Sequence, residues 1–581
     1  MRITLAVLLA AVLAGHDARA AETAPPLVRS VEISITNVDV VVTDAKGRPV
    51  TDLTPFDFVV KQEGKTQAIS NFSFVRNLPA PAAPVAADEA PSSAASTPAA
   101  STPAAAAPVP AGARIVVLLD LLHMTTGNRN RTLASLAEFL PKTIGPRVEV
   151  QVVTWDRALR TRGPFTNDAN VLTAVLSALK EETALGEAPA RERSRLFSQI
   201  DTAFAADPRI REVLIDQAIS TLRGWCDAQA ADIDATLDAA RALTGTVSGL
   251  EGRKILIFAT EKLTPSPGRE IWDYLMEGVD RLSRTSGGQR VASNPTSVTG
   301  LTWKDFDRTA SFQRFAEVAN GAGVSLFMVD AAGLQAGDTR LSAEFAGTGD
   351  SVNEGIATLD AESALHLLAD ETGGAAIIGR NNLALALEGL EPAWTAYYSL
   401  GFESATAKPG VPRSIRVSVK RPGVRVLTRR NVVERTTEQK VADTVLSSVH
   451  FPKTVNPLRA SLHIGKAKLS GKNWLLPLEF KVPFEKLTLI PQGGRLKGAL
   501  LFTAAARTPD GRISPVSTER APIDVPESDL ASLTGKVFTY ASTIKVRPGP
   551  QVISAALTDE ISHLSSYVQP HVVAGDEPAK R

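Results

Sequence analysis

The sequence predicts an α/β domain with a mostly parallel sheet, set between β-rich segments. Three observations lead there. A continuous apolar run at 115–119 has the character of a strand buried on both faces, and further short runs follow at 148–153, 254–259, 324–329 and 375–378. Helical spacing separates them, as in Leu133/Leu136/Leu140, Val171/Val175/Leu179 and Leu365/Leu368, and strands alternating with helices specify a largely parallel sheet. On either side the apolar residues recur with period two, broken by turn residues.

Taken in order, Arg2, the apolar stretch 3–15 and Ala18-Arg19-Ala20 predict a cleaved secretory signal over residues 1–20, with cleavage after Ala20. The stretch is shorter than the roughly 18 residues a membrane span needs. Residues 21–78 predict a small β unit. Val31, Ile33 and Ile35 alternate on odd positions, then Val38, Val40 and Val42 on even ones, so a bulge or break is expected at Thr36-Asn37. A hairpin should turn at Glu63-Gly64. Residues 79–113, rich in Ala, Pro and Ser, cannot form a packed core and predict a linker.

The α/β domain is expected over 114–391. Its first helix should stop at Pro141. Asp207-Pro208 caps a long helix with an apolar face of Ile210, Leu214, Ala218, Leu222 and Trp225, and Cys226 is read as a small buried apolar residue. A kink is expected near Gly224. The tracts 286–302 and 337–350 should be loops above the sheet. Residues 392–436 are β again, and their strands are expected to pair with those of 21–78, a unit too short to be comfortable alone. From 437 to 575 short strands at 460–469, 474–482, 496–505, 536–546 and 551–557 predict a β-sandwich, followed by a polar tail at 576–581.

Composition narrows the function. With 63 basic and 62 acidic residues among 581, the chain has no whole-molecule attraction to nucleic acid or anionic membrane. A single cysteine excludes a disulfide framework and a cysteine-rich zinc module. No nucleophile elbow, zinc-protease helix or phosphate loop occurs. In a doubly wound sheet ligands sit beyond the carboxyl ends of the strands. Those ends carry Asp120, Thr154 to Asp156, Thr260-Glu261 and Asp330, which could either hold a hard cation or simply mark where the chain meets solvent.

The sequence resembles the VWFA-related domain proteins of the acidobacterial type, a divergent branch of the von Willebrand factor A family. The matching stretches begin with Val38-Asp39-Val40-Val41-Val42-Thr43-Asp44 and Leu53-Thr54-Pro55-Phe56-Asp57-Phe58, followed by Gly252-Arg253-Lys254 and Val329-Asp330-Ala331-Ala332-Gly333-Leu334. Leu368-Ala369-Asp370-Glu371-Thr372-Gly373-Gly374 and Tyr397-Tyr398-Ser399-Leu400-Gly401-Phe402 complete them. Together they span roughly residues 28–433. The resemblance implies a von Willebrand A-like (Rossmann-like) fold that binds a protein partner at the sheet's carboxyl edge, commonly through Mg²⁺ held by Asp-x-Ser-x-Ser. Here Asp120 remains, while Leu122 and Met124 replace both hydroxyl ligands, and Glu261 stands at the later acidic position. The implied metal site is therefore degenerate, with Asp120 and Glu261 as remnants. His123, Thr125, Thr126, Thr260 and Asp330 are the other candidates on the binding edge.

The expected function is an exported, non-enzymatic protein-binding or scaffolding module, secreted or periplasmic, without a cofactor or membrane span and with no role for nucleic acid. A Mg²⁺-dependent ligand-binding domain is the alternative. A hydrolase using His123 and Asp120 with an unidentified nucleophile is the third reading.

Overall fold

A computed structural model describes residues 35–77, 112–285, 303–333, 350–404, 409–453, 455–509 and 512–574. The expected signal peptide, nearly all of the expected linker, the tracts 286–302 and 337–349 and the tail 576–581 lie outside the described residues.

The chain opens with β1 (Ile35–Thr43), β2 (Phe58–Gln62), β3 (Lys65–Gln67) and β4 (Ile69–Arg76). β1 is one continuous strand through Thr36-Asn37, paired residue for residue with a later strand from Ile35 to Val40, so the expected break does not occur there. Val38, Val40, Val41 and Val42 are all buried because β1 is covered on both faces along that stretch.

The α/β domain follows. Its first half comprises β5 (Ala113–Asp120), α1 (Thr126–Thr143), β6 (Val148–Trp155), β7 (Leu159–Thr161), α2 (Ala169–Ala178), α3 (Glu187–Ala205) and α4 (Pro208–Val247). Its second half comprises β8 (Arg253–Thr260), α5 (Arg269–Thr285), α6 (Thr309–Ala322), β9 (Val324–Asp330), α7 (Asp350–Thr372), β10 (Ala375–Ile377), α8 (Leu383–Glu388) and the single turn α9 (Pro392–Thr395). The sheet runs β10-β9-β8-β5-β6-β7, parallel except for the antiparallel edge hairpin β6–β7. Read from the β7 edge or the β10 edge, the chain winds outward in both directions from the centre, reversing between β5 and β8, as a doubly wound sheet does.

Two cores line this sheet. One joins it to α1, α2 and α8, and the other to α4, α6 and α7. Pro141 lies inside α1, which continues to Thr143; so near the C-terminus the missing N–H costs one bond of the last turn. On α2 Leu172 and Leu176 are buried; of the expected series Val171 is exposed, Val175 packs against the same core and Leu179, just past the helix, is buried. α4 is a 40-residue helix capped by Asp207, about 60 Å long at 1.5 Å per residue, and it runs unbroken past Gly224. Ile210 is exposed; the buried stripe starts at Ile215 and passes through Ala218, Ile219, Leu222 and Cys226. That half of α4 leaves the sheet and packs with α3 and α5 in a separate helical core.

The chain then returns through β11 (Ala396–Glu403), β12 (Pro412–Val419), β13 (Arg425–Leu427) and β14 (Asn431–Val433). These complete two four-stranded sheets, β13-β1-β11-β4 and β14-β12-β2-β3. Val38, Phe58 and Val60 share their core with Leu400, Phe402, Ile415 and Val417. Tyr398 sits at its centre, ringed by Phe58, Phe72 and Phe74, its hydroxyl accepting from Leu53 N–H and donating to Val50 C=O.

The segment after Thr436 starts with a helix, α10 (Thr437–Ser448), ahead of the expected strands, which begin at 460. A capping box of Thr436 and Gln439 sets its first turn, and Val441 and Val445 bury against Ala505 and Ala556. The last domain comprises β15 (Ser461–Ile464), β16 (Lys468–Ser470), β17 (Asn473–Pro483), β18 (Ile490–Gln492), β19 (Arg495–Arg507) and β20 (Ser517–Pro526). The short α11 (Leu530–Leu533), β21 (Val537–Val546), β22 (Gly549–Asp559), β23 (Ser565–Val568) and β24 (His571–Ala574) complete it. β17 is central in one sheet, β19 and β22 in the other, and the faces between them bury Leu476, Phe480, Phe502 and Leu557.

Candidate functional site

The reversal between β5 and β8 opens the sheet's carboxyl edge at Asp120 and Thr260, the place where this fold class binds ligands. Both strands are apolar to their last residue, so Asp120 is carried into full burial, and its lone pairs must be met by the protein. Thr260 Oγ1 donates to Asp120 Oδ2 at 2.7 Å, directly across the switch point. His123 Nδ1 lies 2.7 Å from the same oxygen, and His123 N–H donates to Oδ1 at 3.3 Å. Burial alone would depress the imidazole's basicity, but the Asp120 carboxylate outweighs it and holds His123 above its ordinary pKa, with Asp232 adding and Arg157 opposing. The far ring nitrogen, Nε2, is buried and has no hydrogen-bond partner among the described residues.

Glu261 is committed as well. Its Oε2 accepts from Thr125 N–H at 2.8 Å and Thr125 Oγ1 at 3.0 Å, which ties the loop after β8 to the start of α1. Thr126 N–H donates to Glu187 Oε1 at 2.6 Å, and its side chain is exposed. Asp330, at the end of β9, accepts from Ala332 N–H at 3.0 Å. Burial pushes its pKa up to about 6, the Ala332 N–H opposing and the carboxylates of Glu261 and Glu362 reinforcing.

These placements test the implied cation site. Leu122 and Met124, in the ligand positions, are 3% and 0% exposed and belong to the two cores of the sheet. Asp120 spends both oxygens on Thr260 and His123, and Glu261 spends Oε2 on Thr125. Among the described residues no three His, Cys, Asp or Glu side chains are placed to share a metal ion. The donor set does not fit a Mg²⁺ ion, which demands near-octahedral oxygen coordination.

A cavity of about 200 Å³ lies beside this cluster. The loops after β5, β8 and β9 bring His123, Thr125, Glu261 and Asp330 to it; α3, α4 and α7 wall it with Arg193, Trp225, Ile233, Glu362 and Leu365. Of the candidate residues, Asp120, Thr126 and Thr260 are not among its lining. Glu270 also faces it, 5% exposed and paired with Arg193 at 3.1 Å, and Lys262 stands among the lining with an exposed side chain. Nothing in the sequence singles out Glu362 or Arg193. Glu362 stands three residues before Leu365 and so shares its side of α7, but its spacing is that of any solvated glutamate. α3 carries Leu196, Phe197, Ile200 and Ala203 at helical spacing, but that stripe marks its buried face and says nothing of Arg193 in the charged first half.

No family model matches the chain, and no curated protein does. Among solved structures it is similar to a von Willebrand factor type A protein from Catenulispora acidiphila, at 10% identity and TM-score 0.21 over 80% of this chain and 66% of that one. It is also similar to the vWF domain of the type V pili tip protein Mfa5 from Porphyromonas gingivalis (12% identity, TM-score 0.23, 49% and 95% covered). A third is an aerotolerance-related membrane protein from Bacteroides fragilis (12% identity, TM-score 0.22, 48% and 99% covered). Similarities this low leave the architecture to be decided by strand order. That order, doubly wound about β5 and β8 with one antiparallel edge, makes the α/β domain a Rossmann-like fold, the arrangement the resemblance implies.

Proposed function

We propose that this chain is an exported, non-enzymatic protein-binding module whose von Willebrand A-like edge recognises its partner without a divalent cation. The observation that carries the reading is the state of Asp120: its carboxylate is satisfied inside the fold by Thr260 and His123, while an open cavity lies alongside. Recognition then rests on the shape and charge of that cavity. A hydrolytic role lacks support, because Nε2 of His123, the atom that would activate a nucleophile, has no hydroxyl or thiol partner. Export is supported by residues 1–20 alone, and no described helix is long and apolar enough to cross a membrane.

Affinity capture from envelope extract tests the reading, using the wild-type chain and Ala361→Phe, which places a ring in the cavity, each with and without EDTA. A partner should be retained by the wild type in both buffers and lost from Ala361→Phe. Retention that vanishes with EDTA, or that is equal in both proteins, counts against it.

A further inference from the structure

We propose that the cavity at the carboxyl edge takes a single basic side chain, a primary ammonium of the lysine type, supplied by the protein partner. This deepens the function proposed above and rests on it. Size comes first: about 200 Å³ is below the ~300–1,000 Å³ of pockets for drug-sized ligands, and suits one side chain.

Charge gives the sign. Four carboxylates line the cavity, those of Glu261, Glu270, Asp330 and Glu362, against Arg193, Lys262 and His123. Arg193 is already spent on Glu270, and the charge on His123 is balanced by Asp120 behind it. What remains is Glu261, Asp330 and Glu362 against Lys262. The first three are close enough that Glu261 and Glu362 both make the ionised form of Asp330 less favourable. Carboxylates gathered in a half-buried space, repelling one another, are a site short of positive charge. A metal would neutralise such an edge, but buried Leu122 and Met124 stand where its hydroxyl ligands would be. A cation brought by the partner restores the balance.

A second, independent observation points the same way. The His123 side chain is 9% exposed and lines the cavity; in the tautomer that gives Nδ1–H to Asp120, its Nε2 is a buried acceptor left without a partner among the described residues. In the neutral ring that atom is a hydrogen-bond acceptor. An ammonium has three donors, which can be distributed over carboxylate oxygens and this nitrogen. Trp225, Ile233 and Leu365 offer apolar wall to the methylene stem, and the indole face also favours a cation.

The test uses the mature full-length chain and three small probes: Nα-acetyl-lysine methylamide, its ε-acetylated neutral form, and Nα-acetyl-glutamate methylamide. Binding is followed by calorimetry and tryptophan fluorescence at about pH 8, where a proton on His123 competes least. The lysine probe alone should saturate, and the double variant Asp330→Asn, Glu362→Gln should weaken it at least about tenfold, a loss of about 1.4 kcal/mol. Equal binding of the neutral or acidic probe, no saturation by the lysine probe, or unchanged affinity in a folded double variant overturns the proposal. Selectivity among the probes is measured on the wild type, so the proposal remains falsifiable even where the variant does not fold. If the lysine probe fails while Ala361→Phe still abolishes partner capture, the side-chain assignment falls and the docking function stands. If the probe binds but capture ignores the cavity, the docking function falls.

Discussion

Asp330 shows how a residue can serve recognition at a cost to the fold. Burial and the neighbouring carboxylates raise its pKa to about 6 from an ordinary 3.8. The folded chain therefore holds a proton there that the unfolded chain has lost, and stability falls as pH rises from about 3.8 to about 6. Above that range the full penalty applies. Asp330→Asn should stabilise the protein at neutral pH, on the order of 1 kcal/mol once solvent screening is allowed for, and leave melting at about pH 4 unchanged. Thermal melts of both proteins across that range check it, and parallel curves from acid to neutral pH would sink it. The same variant weakens the ammonium site, the trade expected where function retains an unfavourable group. Asp120 is the opposite case. It is wholly buried yet fully partnered, so its charge is compensated within the fold. Its presence is legible in the sequence, but its partners are not: Thr260 lies 140 residues away, and nothing local specifies that contact.

At the scale of elements, the site depends on how the helical insertion is strapped to the loop after β5. Leu185 N–H donates to Leu121 C=O at 2.8 Å and Gly186 N–H to Met124 C=O at 2.9 Å, so the chain entering α3 runs along the backbone that carries His123. A Cβ at Gly186 would lie 2.3 Å from His123 O and 2.6 Å from the Met124 carbonyl, both backbone atoms that cannot turn aside. Gly186→Ala must therefore push α3 and the His123 loop apart. The expected result is a loss of about 1–3 kcal/mol in stability and weaker binding of the lysine probe, with the sheet intact. Far-UV circular dichroism with the probe titration measures it, and wild-type affinity in this variant would show that the strap does not position His123. Elements like β5, β8 and β9 are readable because long, mostly apolar runs leave a buried parallel strand as the simple solution. α10 and β20 are not. Their burial is set by partners elsewhere in the chain: α10 by β19 and β22, and β20 by β19. β20 is also an edge strand carrying Glu519, Arg520 and Asp524, and so lacks an apolar run. The stripe on α2 is legible only in part for a related reason: tertiary contact adds Leu172 and Leu176 to Val175 and Leu179 and leaves Val171 exposed.

Across the whole molecule, the α/β domain is inserted within a sandwich that neither flanking segment completes alone. β11 pairs with β1 on one side and β4 on the other; β12 lies between β2 and β14. The two sheets enclose one core drawn from both segments. Arg253, 3% exposed at the start of β8, reaches Asp39 of β1 at 3.4 Å and stacks over the Tyr397 ring, so the inserted domain is also keyed to the sandwich by a buried charge. β4 ends at Arg76 and β5 begins at Ala113, and the composition between them favours solvated backbone that proteases cut readily. Cleavage there should leave the N-terminal fragment bound, because separating it strips both neighbours from β11 and exposes Val38, Val40, Phe58 and Val60. After limited proteolysis the two fragments should co-elute on gel filtration and separate only in denaturant. Release of the N-terminal fragment in native buffer would mean that the strands pairing with β11 and β12 are not held by that shared core. The insertion would also fix the direction in which the cavity faces, since β8 enters the sheet from the Arg253 end, held to the sandwich, and leaves it at Thr260 and Glu261. The recognition edge thus stands at the pole of the sheet opposite the sandwich, where a bound partner need not compete with the contacts that hold the molecule together.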